Sequence, residues 1–272
     1  MKKQIFVAII ILITNLVYSQ NMTGIYELKF RINQDKDHLT TNIFYLDING
    51  SQSIFRSELE RKSDSLINKK GFGFGRKALF ITDLCAVKNL KNNEIKKIIV
   101  SGLMGNRYSI KVEDSLKWEI KNEKQKIGNL NCQKAEVDYG GRHWIAWFSE
   151  SVNLQEGPYI FHGLPGLIVR ISDSHLDYNF NLIQLKKSND NNIYFHKSKE
   201  KEMSWGDFQK MIQNYYNDPL YEIKNSGMNY TIVDDKENIS SLNPKIIQKK
   251  HQTNLKENDS NLIELDKMVS LK

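Results

Sequence analysis

Apolar residues at every second position recur along most of this chain, and that periodicity limits its fold more than any other feature. In Tyr26-Glu27-Leu28-Lys29-Phe30-Arg31-Ile32 apolar and charged residues alternate strictly. Successive side chains of a strand point to opposite faces, so Tyr26, Leu28, Phe30 and Ile32 share one buried face. Phe44, Leu46 and Ile48 alternate likewise and run into Asn49-Gly50, a pair suited to the positive φ angles of a tight hairpin turn. With those two residues as the loop, Phe44 faces Phe55 and Tyr45 faces Ile54. Further strand patterns fall at 78–81, 95–100, 108–112, 116–120, 135–139, 142–148, 167–171, 178–185 and 193–195.

Short strands at fairly even spacing, with no helices alternating between them, specify an antiparallel meander rather than parallel βαβ units. One segment reads clearly as helix. Ser204 caps it, Phe208, Met211, Ile212 and Tyr215 fall on one face, and Pro219 marks the exit. The expected fold is therefore mainly β: a single curved antiparallel sheet, an open or half-closed barrel, with one packed helix. In general look it resembles periplasmic half-barrel proteins of the lipoprotein-carrier type. A two-sheet β-sandwich is the alternative.

The N-terminus sets the expected location. Lys2 and Lys3 precede an apolar run from Ile5 to Leu12, apolar character continues to Val17, and Tyr18-Ser19-Gln20 offers an exit. That is the layout of a cleavable secretory signal over residues 1–20, too short for a membrane span of about 20 apolar residues. No cysteine stands at the exit to carry a lipid anchor. The expected divisions are the signal at 1–20, a β-rich domain at 21–219, and a polar, partly ordered tail at 220–272, rich in Lys, Asn and Ser with scattered apolar residues and room for one late strand or short helix. No transmembrane segment is expected after signal removal. The formal charge of +7 becomes +5 without Lys2 and Lys3, a modest excess spread along the chain. Ordinary solubility accounts for it, and no nucleic-acid partner is expected. Export also places Cys85 and Cys132, the only two cysteines, where a disulfide can persist, so a bridge or two buried thiols are both open.

The reactive-site templates are missing. The glycine run 71–75 is neither a dinucleotide fingerprint nor a phosphate loop, there is no G-x-S-x-G, and there is no H-E-x-x-H. Asp173, His175 and Asp177 alternate and could share a face as metal ligands, but such a triplet is more often a solvated hairpin, and that reading is preferred. Neither a metal nor a cofactor is expected, and no catalytic residue stands out.

Residues 128–171 have unusual composition. Gly140-Gly141 leads into a strand on which Arg142, Trp144, Ala146 and Phe148 share one face, and His143, Ile145 and Trp147 the other. Both faces are largely apolar, which suits a central strand. Gly163-Leu164-Pro165-Gly166-Leu167-Ile168 follows, with Pro165 and Gly166 placed for the second and third positions of a type II turn, Gly166 supplying positive φ. That hexapeptide spells the signature of the GLPGLI family. Cys132-Gln133-Lys134-Ala135, the Gly141-to-Phe148 stretch and Gly157-Pro158 also resemble that family, so the similarity covers about residues 115–185. The resemblance implies an exported protein of the Gram-negative envelope, and it implies no activity.

Two function classes follow. The first is a non-catalytic exported envelope protein, periplasmic, outer-membrane associated or secreted, that binds an apolar, lipid-like ligand or an envelope protein partner through its curved sheet. Arg142 beside Trp144 and Trp147 could hold an anionic group over an apolar floor, although the hexapeptide and the tryptophans read first as architecture. The second is a hydrolase-type enzyme with a site assembled from dispersed residues, such as His143 or His162 with a nearby carboxylate.

Overall fold

The computed structural model describes residues 21–33, 38–71, 73, 84–101, 106–188, 200–227, 244–258 and 261–271. The signal-like segment 1–20, the strand patterns at 78–81 and 193–195 and most of the glycine run lie outside these residues.

Among the described residues twelve strands form one open sheet. They are β1 (Met22–Arg31), β2 (Leu39–Asn49), β3 (Gln52–Ser57), β4 (Cys85–Asn89), β5 (Glu94–Ser101), β6 (Asn106–Lys111), β7 (Glu119–Ile127), β8 (Leu130–Tyr139), β9 (Arg142–Ser149), β10 (Leu167–Asp173), β11 (Tyr178–Lys187) and β12 (Lys201–Glu202). Their order across the sheet is β12-β6-β5-β4-β3-β2-β1-β11-β10-β9-β8-β7. Neighbours run antiparallel except the short β12, which lies parallel to β6. The mainly β, single-sheet fold expected from the alternation is the fold observed.

The first hairpin is shifted from its expected register. Asn49 pairs with Gln52 and Leu46 faces Phe55, so the two-residue loop is Gly50-Ser51. Gly50 takes φ +59° while neither neighbour does. A turn with glycine first and only that residue at positive φ avoids forcing Asn49 into the left-handed region. Phe44 and Phe55 still share a face, and their rings stack at 5.1 Å.

Period-two burial places Leu28, Phe30, Phe44, Leu46, Phe55, Trp144, Ala146, Phe148 and Phe180 in one continuous core on the inner face. The curvature of that face can be deduced from a single carboxylate. Glu264 accepts from Lys97 Nζ on β5 at 2.8 Å and from the Tyr139 hydroxyl on β8 at 3.1 Å. β5 and β8 are eight steps apart in the strand order, about 38 Å in a flat sheet at about 4.8 Å per step. The sheet must therefore roll into a deep bowl for one side chain to span it.

Helices exceed expectation. The expected one, α2 (Trp205–Asn217 in the chain order α1–α4 used here), is present with Ser204 accepting from the Asp207 amide, and it buries Phe208, Ile212, Tyr215 and Tyr216. These pack on Ile99 and Ile110 at the β5–β6 end of the sheet, together with Leu255. That leucine belongs to α4 (Pro244–Asn258), and α3 (Tyr221–Asn225) lies between. Helix α1 (Glu58–Lys70) was not expected. It starts in a capping box of Ser57 and Glu60 and lies on the outer face of β2 and β3. There Arg56 pairs with Asp47 and Asp64, and Arg61 also reaches Asp47. No described helix is long and apolar enough to cross a membrane.

Cys85 and Cys132 are both buried and no disulfide joins them. Cys85 packs with Ile54 and Ile98 in a cluster separate from the inner-face core, and the Cys132 thiol on β8 meets the Leu130 carbonyl. The bridged alternative is thus corrected to two buried thiols. Adding a reductant is expected to leave the melting temperature unchanged in a calorimetric scan, and a fall of several degrees would contradict the arrangement.

Candidate functional site

The bowl is filled from within by two segments of the chain. The first is the β9–β10 connection, whose residues Glu156, Tyr159, Ile160, Phe161 and Leu164 are buried. Phe161 packs on Trp144 with ring centroids 4.7 Å apart. Lys88 rises from the floor on β4 to pair with Glu156 at 2.6 Å, and it donates to the carbonyls of Gly157 at 2.7 Å and Phe161 at 3.3 Å. Burial pushes the Lys88 ammonium below its usual range, against the opposing pull of Glu156.

The hexapeptide closes this connection, though not as the expected type II turn. Gly166 does not take positive φ; Gly163 does, at +89°. Gly166 instead lies against the backbone of Ser149 and Glu150, where a Cβ would overlap the Ser149 carbonyl. Its amide donates to the Leu164 carbonyl at 2.7 Å. Leu164, Leu167 and Ile168 enter the core, and the buried Tyr26 hydroxyl donates to the Ile168 carbonyl at 2.7 Å. Replacing Gly166 with valine is expected to cost on the order of 3 kcal/mol, because rigid backbone must move. The melting temperature would then fall by roughly 10 °C.

The second segment is the C-terminal stretch from Asn261. It falls in the partly ordered tail expected beyond residue 219, and it is an ordered, buried part of that tail. Asn261, Leu262, Ile263 and Glu264 are all buried on the inner face. Each is held individually. Arg142 donates through Nη2 to the Asn261 side-chain oxygen and to the Leu262 carbonyl, and through Nε to the Leu262 and Ile263 carbonyls. The Tyr178 hydroxyl donates to the Asn261 carbonyl, and Asn261 Nδ2 donates to the Arg31 carbonyl at 2.8 Å. Leu262 and Ile263 join the inner-face core. Glu264 takes Lys97 on one oxygen and the hydroxyls of Tyr139 and Tyr159 on the other.

Electrostatics follow from this pairing. Burial alone would raise the Glu264 carboxyl, but the Lys97 charge and hydrogen bond, with the two tyrosines, hold it below the usual carboxylate range. Burial, with the Glu264 charge beside them, pushes both phenols far above their ordinary values, so they stay donors.

The residues singled out as a ligand site are not brought together. Arg142 and Trp144 are on the inner face, with the Trp144 indole N–H donating to the Tyr139 carbonyl at 3.0 Å. Trp147 is half-buried, and its strand position puts it on the outer face. Arg142 lies under the Asn261–Ile263 segment, where Asp173 at 2.9 Å and Asp177 at 3.3 Å neutralise it. The alternating acids therefore serve Arg142 rather than a metal. Among the described residues the two candidate histidines lie apart, and His143 Nε2 stands 3.9 Å from the Glu136 carboxylate. His143 bonds Asp138 at 2.8 Å, but that carboxylate is 86% exposed. His162 Nδ1 meets the Ile160 carbonyl, and burial, with Lys88 nearby, holds its pKa below the ordinary value.

Comparison with known proteins adds likeness of fold. No family model matches the chain, and no curated protein does. Among solved structures, PNGF-II, seen in two space groups, aligns with a TM-score of 0.50 and 16% identity over 71% of this chain. The match spans 33% of the PNGF-II chain, about a third of its length. An outer-membrane lipoprotein-sorting protein domain from Vibrio parahaemolyticus aligns over 64% of this chain and 88% of its own, with a TM-score of 0.25 and 8% identity.

Proposed function

We propose that this chain is a non-catalytic exported protein of the cell envelope that binds a partner polypeptide through the concave face of its curved sheet. One observation carries the reading. The bowl grips a four-residue segment, bent at Ile263 and leading into a 3-10 turn at Leu265, by both of its polar side chains, both of its apolar side chains and three of its carbonyls. Contacts to the main chain together with pockets for particular side chains are how proteins recognise peptide segments. The signal-like N-terminus and the GLPGLI resemblance support export to the envelope. A lipid-like ligand is the weaker branch, because the apolar floor is covered by Tyr159, Ile160 and Phe161 of the chain itself.

Native mass spectrometry of the protein purified from its own envelope tests the reading. A co-purifying polypeptide is the expected result. A co-purifying lipid would move the function to ligand carriage, and a bare monomer at every salt concentration would overturn the proposal.

A further inference from the structure

We infer that the groove formed by Arg142, Tyr178, Lys97, Tyr139 and Tyr159 is a recognition site for a segment of pattern Asn-apolar-apolar-Glu, and that the chain's own Asn261–Glu264 is a resident occupant a partner segment can replace. This rests on the partner-binding reading above and names its site and ligand class.

Three observations point the same way. The contacts are specific at each position rather than generally apolar. The first residue is read by its amide, which accepts from Arg142 and donates to the Arg31 carbonyl. The fourth is read by its carboxylate, which meets one ammonium and two hydroxyls. The two between are read by burial in the aromatic floor.

The choice of groups is also costly if closure were their purpose. Lys97 and Glu264 are both nearly inaccessible, at 3% and 2% side-chain exposure. An apolar pair of similar volume would seal the bowl as well or better, because a buried ion pair regains its desolvation only in part. What such a pair supplies is discrimination, since an occupant without the carboxylate leaves Lys97 buried and uncompensated.

Lys97 apart, whose charge partner is Glu264 itself, the groups of the groove are positioned by residues outside the tail. Arg142 has Asp173 and Asp177, and Tyr178 is fixed by its amide donating to Asp173 at 2.8 Å. Tyr139 is fixed by its strand, and Tyr159 by the β9–β10 connection. Every group that reads Asn261–Glu264 comes from elements other than the one it reads, so the same groups can read that pattern on another polypeptide.

The test uses the full chain and a labelled, N-acetylated peptide spanning Asn261–Leu271, followed by fluorescence anisotropy. Saturable uptake is expected, with at least a tenfold loss when the peptide carries Glu264→Gln or Asn261→Ala. A second variant guards against simple unfolding. In the full chain carrying Lys97→Met with Glu264→Met both charges are removed together, and its preference should switch to a peptide carrying Glu264→Met. No uptake by either chain, with circular dichroism showing both folded, would overturn the inference, as would equal uptake of all peptides. A dimer that exchanges tails would assign the groove to self-association and overturn the partner role. If the peptides fail while a polypeptide still co-purifies from the envelope, the groove is wrong and the binding function stands. If the peptides bind and nothing co-purifies, the reverse holds.

Discussion

Replacing Arg142 with methionine is expected to cost about 3–5 kcal/mol and to lower the melting temperature by roughly 10 °C or more. The guanidinium lies between two buried carboxylates, Asp173 and Asp177, and three groups of the C-terminal segment. Its removal leaves the buried Asp173 without its cation and Asp177 with Arg31 alone, and it strips three carbonyl and amide oxygens of a donor. Lysine should rescue little, since one ammonium cannot reach the acids and the tail carbonyls in the forked geometry a guanidinium offers. Adding Asp173→Asn and Asp177→Asn to Arg142→Met should recover part of the loss by removing the stranded charge. Urea unfolding of the three proteins checks this, and a single Arg142→Met variant within about 1 kcal/mol of the parent would contradict it.

The second large effect concerns Lys97 and Glu264. Lys97→Met alone should cost about 3–5 kcal/mol, whereas Lys97→Met with Glu264→Met should be near neutral. The same pair sets an acid limit. The Glu264 carboxyl is held below its ordinary value in the folded protein, so it contributes stability above its unfolded pKa of about 4.3 and loses it as pH falls through the lower folded value. Asp47 acts in the same direction. Burial would raise it, but the hydrogen bond and charge of Arg61, the charge of Arg56 and the Thr23 hydroxyl bring it down. Stability should therefore decline as pH drops below about 4.5, and Glu264→Gln should flatten that slope. Urea midpoints from pH 7 to pH 3 read both predictions. An unchanged slope in the Glu264→Gln protein would show that this carboxylate does not govern the acid limit.

Most of the sheet was legible because its inner face is continuous. A strand buried on one side must alternate, and β1, β2 and the first half of β11 do, while β9 and β10 were legible as largely apolar runs. β7 was read too early and too short, as 116–120 against Glu119–Ile127, because every residue between Ile120 and Ile127 is polar or charged. It is an edge strand, where lysine and glutamate discourage pairing with other chains and leave no apolar alternation to read. Helix α1 escaped for a related reason. The residues it buries are Glu60, Ser63 and Asp64, so no apolar stripe marks its face. Its one visible signal was the Ser57-x-x-Glu60 capping box, the same kind of signal that did locate α2.

The candidate site was half legible. An arginine sharing a strand face with Trp144, Ala146 and Phe148 should be buried, and a buried arginine needs acids. Asp173 and Asp177 were noticed, yet for their alternation alone. The C-terminal segment could not be read at all. Glu264 meets Lys97 across 167 positions and Tyr139 across 125, and the apolar Leu262, Ile263 and Leu265 around it show no strand or helix period. Only the curvature of the sheet brings such distant groups to one carboxylate, and no local pattern encodes that closure.

Amide hydrogen exchange on the full chain tests most directly whether the bowl is a groove with an occupant or a core with a permanent plug. The account predicts that the amides from Ile263 to Asp266 exchange through a partial opening that leaves β1, β2 and β9 protected, at a free energy well below that of global unfolding. Exchange of the segment only together with those strands, in one global event, would make it an inseparable part of the core and contradict the account.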